Sequence, residues 1–441
     1  MPNPATSNAS VSASNPPGLI YSGDYYLKSL TIITSDGQIV DIKNNYVELN
    51  IYEDLFASCM TGTVLMGDAL DIVANFKLHG NEWIQVEIDK PSLNKPIQKV
   101  FRIYKISNRE FKTASLQNYV IHFCSEEMIL SSQRFMSKSY KGMIISDMVK
   151  DIMLNQLGVS SNKSSSGLWD KTTGLFNLIV PRMNPLEAIQ WLSTRAYSST
   201  GTLFLFFENR DGFNFVSYET LIKIPTYQKY YNNPKLTTDA QDNINSFNYL
   251  KIIQDFDILA SGRYGAFGSS ILTYDLINRK FSGLQFDPTK FNLLNDNLPI
   301  NSTKNRFNIP ILGNSDYLLK FYPTADSDPK TNGSHPENWL QKKAMKLAQL
   351  NQFKMVISIP GDILMKVGRI IDVELPKSVP QNSSGNQINE TRSGSYLVSA
   401  VHHIFINDVS TTVMELLSDS VSGTLNAPID TSPTMKAVKQ Q

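Results

Sequence analysis

The sequence has 441 residues, which at roughly 150 residues per domain indicates about three domains. Lys and Arg number 41 and Asp and Glu 40, and the resulting net charge of +1 excludes a globally basic nucleic-acid-binding protein. Charged residues make up only 18% of the chain and aromatic residues 10%, which favours large protein–protein contacts, with an ordinary β-rich protein as the alternative.

Both ends of the chain are rich in small and polar residues. Residues 1–22 contain neither the basic nor the apolar segment of a secretory signal peptide, so we expect a disordered N-terminal arm. Residues 421–441 are expected to form a flexible C-terminal tail. Apolar runs stay far below the ~18 residues of a membrane span, and Cys59 and Cys124 are expected to be buried thiols rather than a disulfide.

Residues 23–133 alternate between apolar and polar side chains in short runs. Turn signals such as Ser35-Asp36-Gly37 separate the runs. The clearest predicted strands are Thr61 to Met66, Trp83 to Ile88, Val100 to Ser107 and Gln117 to Cys124. Many short strands at regular spacing predict a small barrel or sandwich.

Residues 134–235 mix helical and strand patterns. Apolar residues recur at helical spacing at Met143, Ile144, Met148, Ile152 and Met153. Asn184, Pro185 and Glu187 form a capping box with proline at the first helical position. The buried face of this second helix is predicted at Ile189, Leu192 and Ala196. A hairpin with its turn at Asn209 to Gly212 completes a compact α/β domain.

Strand patterns return in residues 236–261 and 337–420, which we assign together to a second small barrel. Its later strands are predicted at Lys354 to Ile359, Arg369 to Leu375, Tyr396 to His402 and Thr411 to Leu417. A helix from Asn338 to about Leu350 precedes them, with its buried face at Leu340, Ala344, Leu347 and Ala348. Residues 262–336 are irregular and rich in Gly, Asn, Pro and Asp, and they predict an inserted domain.

The two β-rich regions resemble each other. Gly80 to Pro91 and Val367 to Lys377 both lead from a small turn into a strand with an acidic residue shortly before proline. The next two strands correspond in the same way, those from Val100 and Gln117 to those from Ser395 and Thr411. Either chance β patterning or two copies of one barrel explains this similarity.

Candidate chemical motifs fail on spacing or geometry. Gly262 to Gly268 has the wrong glycine spacing for a dinucleotide loop, and Asp326 to Gly333 lacks the glycine and one oxygen ligand of a calcium loop. Two adjacent pairs, Glu126–Glu127 and His402–His403, should diverge on regular backbone. We therefore predict no catalytic, cofactor-binding or metal site, although folding can still bring a distant nucleophile and base together.

Four segments carry a resemblance to a known family. They are NPLEAIQWLSTRA from Asn184, FFENRDGFNFVSY from Phe206, ISIPGDILMKVGRIIDVELP from Ile357 and SYLVSAVHHIFINDVSTTVMEL from Ser395. Their content and order resemble the baseplate hub proteins of contractile-tailed bacteriophages, the T-even-type tail hub family. In architecture the resemblance covers most of Tyr25 to Ser420.

The resemblance implies a structural protein without enzymatic activity. It implies two similar tube-type β-barrels per chain and a homotrimeric, pseudo-sixfold ring that adapts the hexameric tail tube to the trimeric central spike. The implied partners are the spike, the tail tube protein or a tube-initiating baseplate protein, and the tape measure protein in the lumen. DNA would pass through without specific binding, no cofactor or membrane insertion is implied, and the protein would reside in the virion after assembly in the host cytoplasm.

Two other hypotheses stay open. A β-rich receptor- or glycan-binding tail protein would stack its aromatic side chains on sugars, and a tail-associated peptidoglycan hydrolase would need convergent carboxylates. The duplicated barrel separates the hub from the receptor binder, because receptor binding needs no internal pseudo-symmetry.

Overall fold

The computed structural model describes residues 25–421 except 91–95, 114, 161–162, 164–166, 200, 233–244, 256, 258, 261–262, 264, 266–267, 276–277, 287–303, 306–318, 325–334, 352, 378–387, 390–391 and 408. Its strands are β1 (Tyr26–Ile33), β2 (Ile39–Asp41), β3 (Tyr46–Asp54), β4 (Thr61–Asp68), β5 (Trp83–Asp89), β6 (Ile97–Thr113), β7 (Leu116–Cys124), β8 (Met136–Met143), β9 (Phe176–Met183), β10 (Phe204–Asn209), β11 (Gly212–Ser217), β12 (Lys229–Tyr231), β13 (Tyr249–Gln254), β14 (Ser269–Asp275), β15 (Lys280–Phe286), β16 (Lys304–Asn305), β17 (Leu319–Thr324), β18 (Phe353–Pro360), β19 (Ile370–Glu374), β20 (Gly394–Ile406), β21 (Val409–Ser418) and β22 (Ser420–Val421). Its helices are α1 (Ile72–Asn75), α2 (Glu126–Ser132), α3 (Ile145–Asp151) with a following π-helical turn (Ile152–Gln156), α4 (Pro185–Ser193), α5 (Tyr218–Leu221) and α6 (Leu340–Leu350), which a 3₁₀ turn (Pro336–Asn338) precedes.

Most of these strands belong to one 13-stranded sheet. Its order is β13-β18-β21-β20-β3-β4-β7-β6-β5-β1-β2, with β19 beside β20 and β12 beside β19. Every neighbouring pair from β13 to β6 is antiparallel. Because β20 pairs with β3, the sheet passes from the late part of the chain to the early part without a break.

The early and late parts of the sheet repeat one strand order. In the early part, β3 to β7 are arranged as β3-β4-β7-β6-β5, and in the late part the corresponding strands are arranged as β13-β18-β21-β20-β19. The two parts differ at the next strand, because β1 lies antiparallel to β5 whereas β12 lies parallel to β19. The expected resemblance of the two regions therefore holds at the level of topology, and the superposition of two barrels stays a prediction.

A local irregularity recurs at the same place in both parts. In β6 the pairing with β7 skips one residue between Ile103 and Lys105, and in β20 the pairing with β21 skips one between Val398 and Ala400. Such a bulge adds one unpaired residue and increases the local twist. Chance β patterning explains the shared strand order and the shared bulge poorly.

Three hydrophobic cores support the architecture. The first lies under β1 to β7 and includes Ile32, Val64 and Phe123, and the second lies under β18 to β21 and includes Ile357 and Met414. Position 62 beside the first core requires glycine, because a Cβ there would lie 2.2 Å from the Phe123 ring. A buried side chain of this size contributes ~1.5–3 kcal/mol, so each core can hold its own part of the sheet together.

The third core belongs to the mixed segment between β7 and β12. Met148 and Ile152 on α3 and its π-helical turn pack there with Ile189, Leu192 and Phe213. The predicted helices are present, and the hairpin of β10 and β11 closes with Asn209 opposite Gly212, as expected. The sequence patterns did not predict the β8–β9 pair.

One helix prediction is confirmed and another needs correction. Asn184, Pro185 and Glu187 form the predicted capping box of α4, in which the backbone N–H of Asn184 donates to Glu187 Oε2 at 3.2 Å. Asn184 Oδ1 faces the backbone N–H of Glu187 but does not reach hydrogen-bond geometry with a described residue. On α6 the predicted buried face is only partly right, because Ala348 is buried while Leu340, Ala344 and Leu347 are half-buried. The other buried residues are Gln341, Met345, Lys346, Gln349 and Leu350. Gln341 Nε2 donates to the Ser269 carbonyl at 2.8 Å, because this face of α6 rests on the polar start of β14.

The described part of the predicted insertion contains a small sheet. Its strands lie in the order β15-β14-β17, with β14 antiparallel to β15 and parallel to β17. The N-terminal arm, almost all of the C-terminal tail and the calcium-like motif lie outside the described residues, as does half of Gly262 to Gly268. Within the described ranges, no helix combines the length and the apolar character that crossing a membrane would require.

Candidate assembly surfaces

One face of the long sheet points away from the cores. At its centre the His402 ring stacks on Tyr52 with centroids 4.4 Å apart, and its Nε2 donates to Asn50 Oδ1 at 2.7 Å. Asn50 Nδ2 donates to Thr63 Oγ1 at 3.3 Å, and Ser107 Oγ lies 2.7 Å from His122 Nε2. These side chains are half-buried except for Asn50, which is buried, and none of them carries a fixed charge.

The two histidines of the predicted divergent pair lie on opposite faces. Partial burial lowers the pKa of His402, which faces this polar surface. His403 is buried on the other face, between Thr412 Oγ1 and the Met365 carbonyl, each 3.2 Å away, and burial lowers its pKa to about 4. Both rings are therefore neutral at pH 7. They cannot chelate one ion together, because they lie on opposite faces of the strand.

Strand β13 forms one edge of the sheet. Among the described residues it pairs only with β18. Three large apolar side chains are exposed along it: Tyr249 at 52%, Ile252 at 37% and Ile253 at 51%. An exposed apolar edge strand is a template for pairing with another strand.

The outer half of β6 forms a second open edge. β5 pairs with β6 only up to Arg102, and from Lys105 to Thr113 the described partner is β7 alone. Phe111 in this stretch is 69% exposed. Both open edges thus combine unpaired backbone groups with exposed apolar side chains.

A buried carboxylate joins β3 to two distant segments. Glu53 is 2% exposed, and its two oxygens accept the backbone N–H of Arg210 at 2.8 Å and that of Val367 at 3.0 Å. Burial raises the pKa of Glu53 to about 7, against the opposing effect of these two hydrogen bonds. The Arg210 side chain in turn donates to the Ile363 carbonyl at 3.0 Å.

A second ionic cluster anchors the mixed segment. The Lys163 ammonium lies 2.8 Å from Glu127 and 2.9 Å from Glu208, which are both buried. Glu208 Oε2 also accepts the backbone N–H of Met60 at 3.1 Å. Glu126 beside this cluster is half-buried, and burial raises its pKa. The divergence of the two adjacent carboxylates stays a prediction.

Other reactive groups are buried or paired. Cys59 and Cys124 are free buried thiols, and burial raises the pKa of each, that of Cys124 to about 11. No cluster of three His, Cys, Asp or Glu residues that could hold a metal occurs in the described ranges. A cavity of about 370 Å³ lies between the β10–β11 turn and the loop before β19, where Lys366 pairs with Asp211.

Sequence reasoning did not identify Glu53, Lys163 or Glu208 as important. The local sequence around each of these residues is typical of a solvent-exposed charge, because the groups that they pair with lie far away in sequence. The sequence also could not predict which strands lie at the open edges, because that depends on how all the strands pair.

No family model matches the sequence. No curated protein matches it either. Solved structures of phage tail proteins share its fold, among them these two. One is a tail protein from Neisseria meningitidis MC58, with a TM-score of 0.52, 12% identity and coverage of 90% of this chain and 97% of that chain. The other is the 43 kDa tail protein of prophage MuSo2 from Shewanella oneidensis, with a TM-score of 0.51, 6% identity and coverage of 89% and 98%. The β-rich fold of phage tail proteins, expected from the resemblance, is therefore confirmed.

Proposed function

We propose that this chain is the structural baseplate hub of a contractile phage tail. The observation that carries the proposal is the repeated strand order, which runs through one uninterrupted sheet in a chain with the fold of phage tail proteins. A receptor-binding protein has no need of such a repeat, so the hub is preferred over that alternative.

The repeat suits an adaptor between two symmetries. Three copies of a chain with two equivalent parts present six similar edges, on which a hexameric tail tube can stack. The features that differ between the two parts recur only three times, and a trimeric central spike can bind them. The domain bounds assigned from the sequence belong to this proposal: tube-type barrels at 23–133 and at 236–261 with 337–420, the α/β domain at 134–235 and the insertion at 262–336.

The ring would enclose a conduit for the tape measure protein and DNA. At the centre of the polar sheet face, the side chains of Asn50, Thr63 and His402 are uncharged at pH 7 and suit the wall of such a conduit. Several phosphate contacts would bind DNA strongly and slow its transit. The hub acts without catalysis, in the virion, after assembly in the host cytoplasm.

Solution mass tests the proposal directly. We expect the chain, produced together with its spike and measured by light scattering, to form a complex that contains three copies of the 49.5 kDa chain in addition to the mass of the spike. A permanent ring of this kind should bury well over ~1,500 Å² per contact. A stable monomer in the presence of the spike contradicts the proposal.

A further inference from the structure

We infer that the ring closes by antiparallel pairing of the outer half of β6 in one copy with β13 of the next copy, with Glu110 opposite Lys251. This inference rests on the proposed function, because it needs copies of the chain arranged in a ring. It names the interface and its register, which the proposed function leaves open.

The repeat itself identifies the two edges as partners. In the shared strand order, β20 is the equivalent of β6, and β13 is the equivalent of β3. β20 and β3 already pair inside the chain, and this pair joins the late part of the sheet to the early part. The equivalent pair, β6 with β13, cannot form within one copy because these strands lie at opposite ends of the eight-strand run from β13 to β6.

Strand direction agrees with this closure. All seven pairs between β13 and β6 are antiparallel, so the first and last of these eight strands run in opposite directions. Rotation about a ring axis along the strands leaves each strand direction unchanged. The β6 edge of one copy therefore meets the β13 edge of the next in antiparallel orientation, the same as in every pair of the run.

The shared bulge fixes the register between the two parts. Tyr104 in β6 and Ser399 in β20 are the extra residues. The residue after each of them pairs with His122 of β7 in the early part and with Glu415 of β21 in the late part. His122 and Glu415 are therefore equivalent positions.

Counting outward from these positions gives the equivalents at the open edge of β13. His122 lies opposite Thr63 in β4, and Glu415 lies opposite Val356 in β18. In the next strand outward, Asn50 of β3 lies opposite Thr63, and Lys251 of β13 lies opposite Val356. Asn50 and Lys251 are therefore equivalent positions.

The same count on the other side reaches the open edge of β6. Four positions earlier in β7 and β21, at Asn118 and Thr411, the partners are Glu110 in β6 and Ile404 in β20. Strand β6 contains a further register shift between Ser107 and Glu110 that β20 lacks, so the count follows β7. Inside the chain Ile404 lies opposite Asn50. The equivalent pair across the ring contact is therefore Glu110 with Lys251.

The chemistry of the two edges agrees with this register. Lys251 is exposed, and Glu110, 64% exposed, pairs within its own strand only with Lys112 at 2.8 Å. Opposite charges placed across a strand pair attract, and like charges repel. The same register brings Phe111 opposite Leu250, so the exposed Phe111 ring gains an apolar neighbour.

Charge reversal tests the pair. We expect Lys251→Glu and Glu110→Lys each to raise the concentration needed for assembly at least about threefold, and the double variant to restore it, as measured by mass photometry. Lys141→Glu, on β8 outside the long sheet, is the matched control and should leave assembly unchanged. Single reversals that assemble like the control overturn the inferred register.

Cross-linking gives an independent readout. Glu110→Cys with Lys251→Cys should form a disulfide between copies under mild oxidation, and Glu110→Cys with Tyr249→Cys should form much less. The native thiols are buried and do not compete. A trimer without the first cross-link overturns this interface and leaves the proposed hub standing, whereas a monomer with the spike present overturns both.

Discussion

Glu53 is the residue at which three distant parts of the chain meet. It accepts hydrogen bonds from the hairpin turn at Arg210 and from Val367, and its carboxyl is almost fully buried. Leaving one of these donors without an acceptor costs ~1–3 kcal/mol. Glu53 is therefore one of the side chains that hold the mixed segment against the sheet.

The raised pKa of Glu53 makes this junction sensitive to pH. The folded protein holds the proton up to about pH 7, while the unfolded chain releases it near the ordinary value of 4.5. Protonation of Glu53 therefore contributes fully to the free energy of unfolding below about pH 4.5, and this contribution is lost as the pH rises through 7.

We expect Glu53→Gln to remove that pH dependence. The amide can accept only one of the two N–H bonds, so at pH 5 the variant should unfold more easily by ~1–3 kcal/mol. Toward pH 8 the difference should shrink, because the wild type then buries a charge. Urea unfolding at several pH values measures both effects, and a difference that stays constant with pH contradicts the expectation.

At the scale of elements, the sequence predicted most strands of the long sheet because their burial alternates. β4 and β18 both show strict alternation of buried and half-buried residues. β8 and β9 have buried residues four apart, as at Met136 and Tyr140, since their ladder is irregular. A period of two cannot detect such strands.

The buried face of α6 was only partly predicted, for a different reason. Its inner side carries Gln341, Lys346 and Gln349, which an apolar pattern assigns to solvent. Tertiary hydrogen bonds such as that from Gln341 to Ser269 decide this placement, and they join segments that sequence patterns treat separately. The pairing of edges is likewise a property of the whole sheet and not of any strand.

The start of α4 allows a test of the capping prediction. A full Asn N-cap is worth about 1 kcal/mol, but Asn184 Oδ1 makes no hydrogen bond among the described residues. We therefore expect Asn184→Ala to lower the free energy of unfolding by less than about 1 kcal/mol. Glu187→Ala loses the hydrogen bond from the Asn184 N–H and should lower it at least as much as Asn184→Ala does. Chemical unfolding of the two variants gives the order, and a larger loss for Asn184→Ala would show that its side chain caps the helix in solution.

At the scale of the whole molecule, the proposed function makes the polar sheet face the wall of the conduit. We expect an image of the assembled tail to place this face in the lumen and α4 and the insertion outside it. The two parts of the sheet should superpose strand for strand.

A single added charge tests the conduit. Thr63→Arg should leave assembly intact and lower infectivity several-fold, because three guanidinium groups would then face the passing phosphates. Ile179→Arg, at an exposed site on β9, is the control and should have little effect. Equal infectivity of the two variants would place the sheet face elsewhere.

The unequal connections between equivalent strands have a consequence for the proposed ring. β3 and β4 are joined by residues 55–60 alone, whereas residues 255–352 separate β13 from β18. In a closed ring of three copies, the long connection would emerge at every second of the six equivalent positions and would therefore recur every 120° around the ring axis. Such spacing would let a threefold partner find one of three identical orientations while the strands themselves keep their near-sixfold regularity.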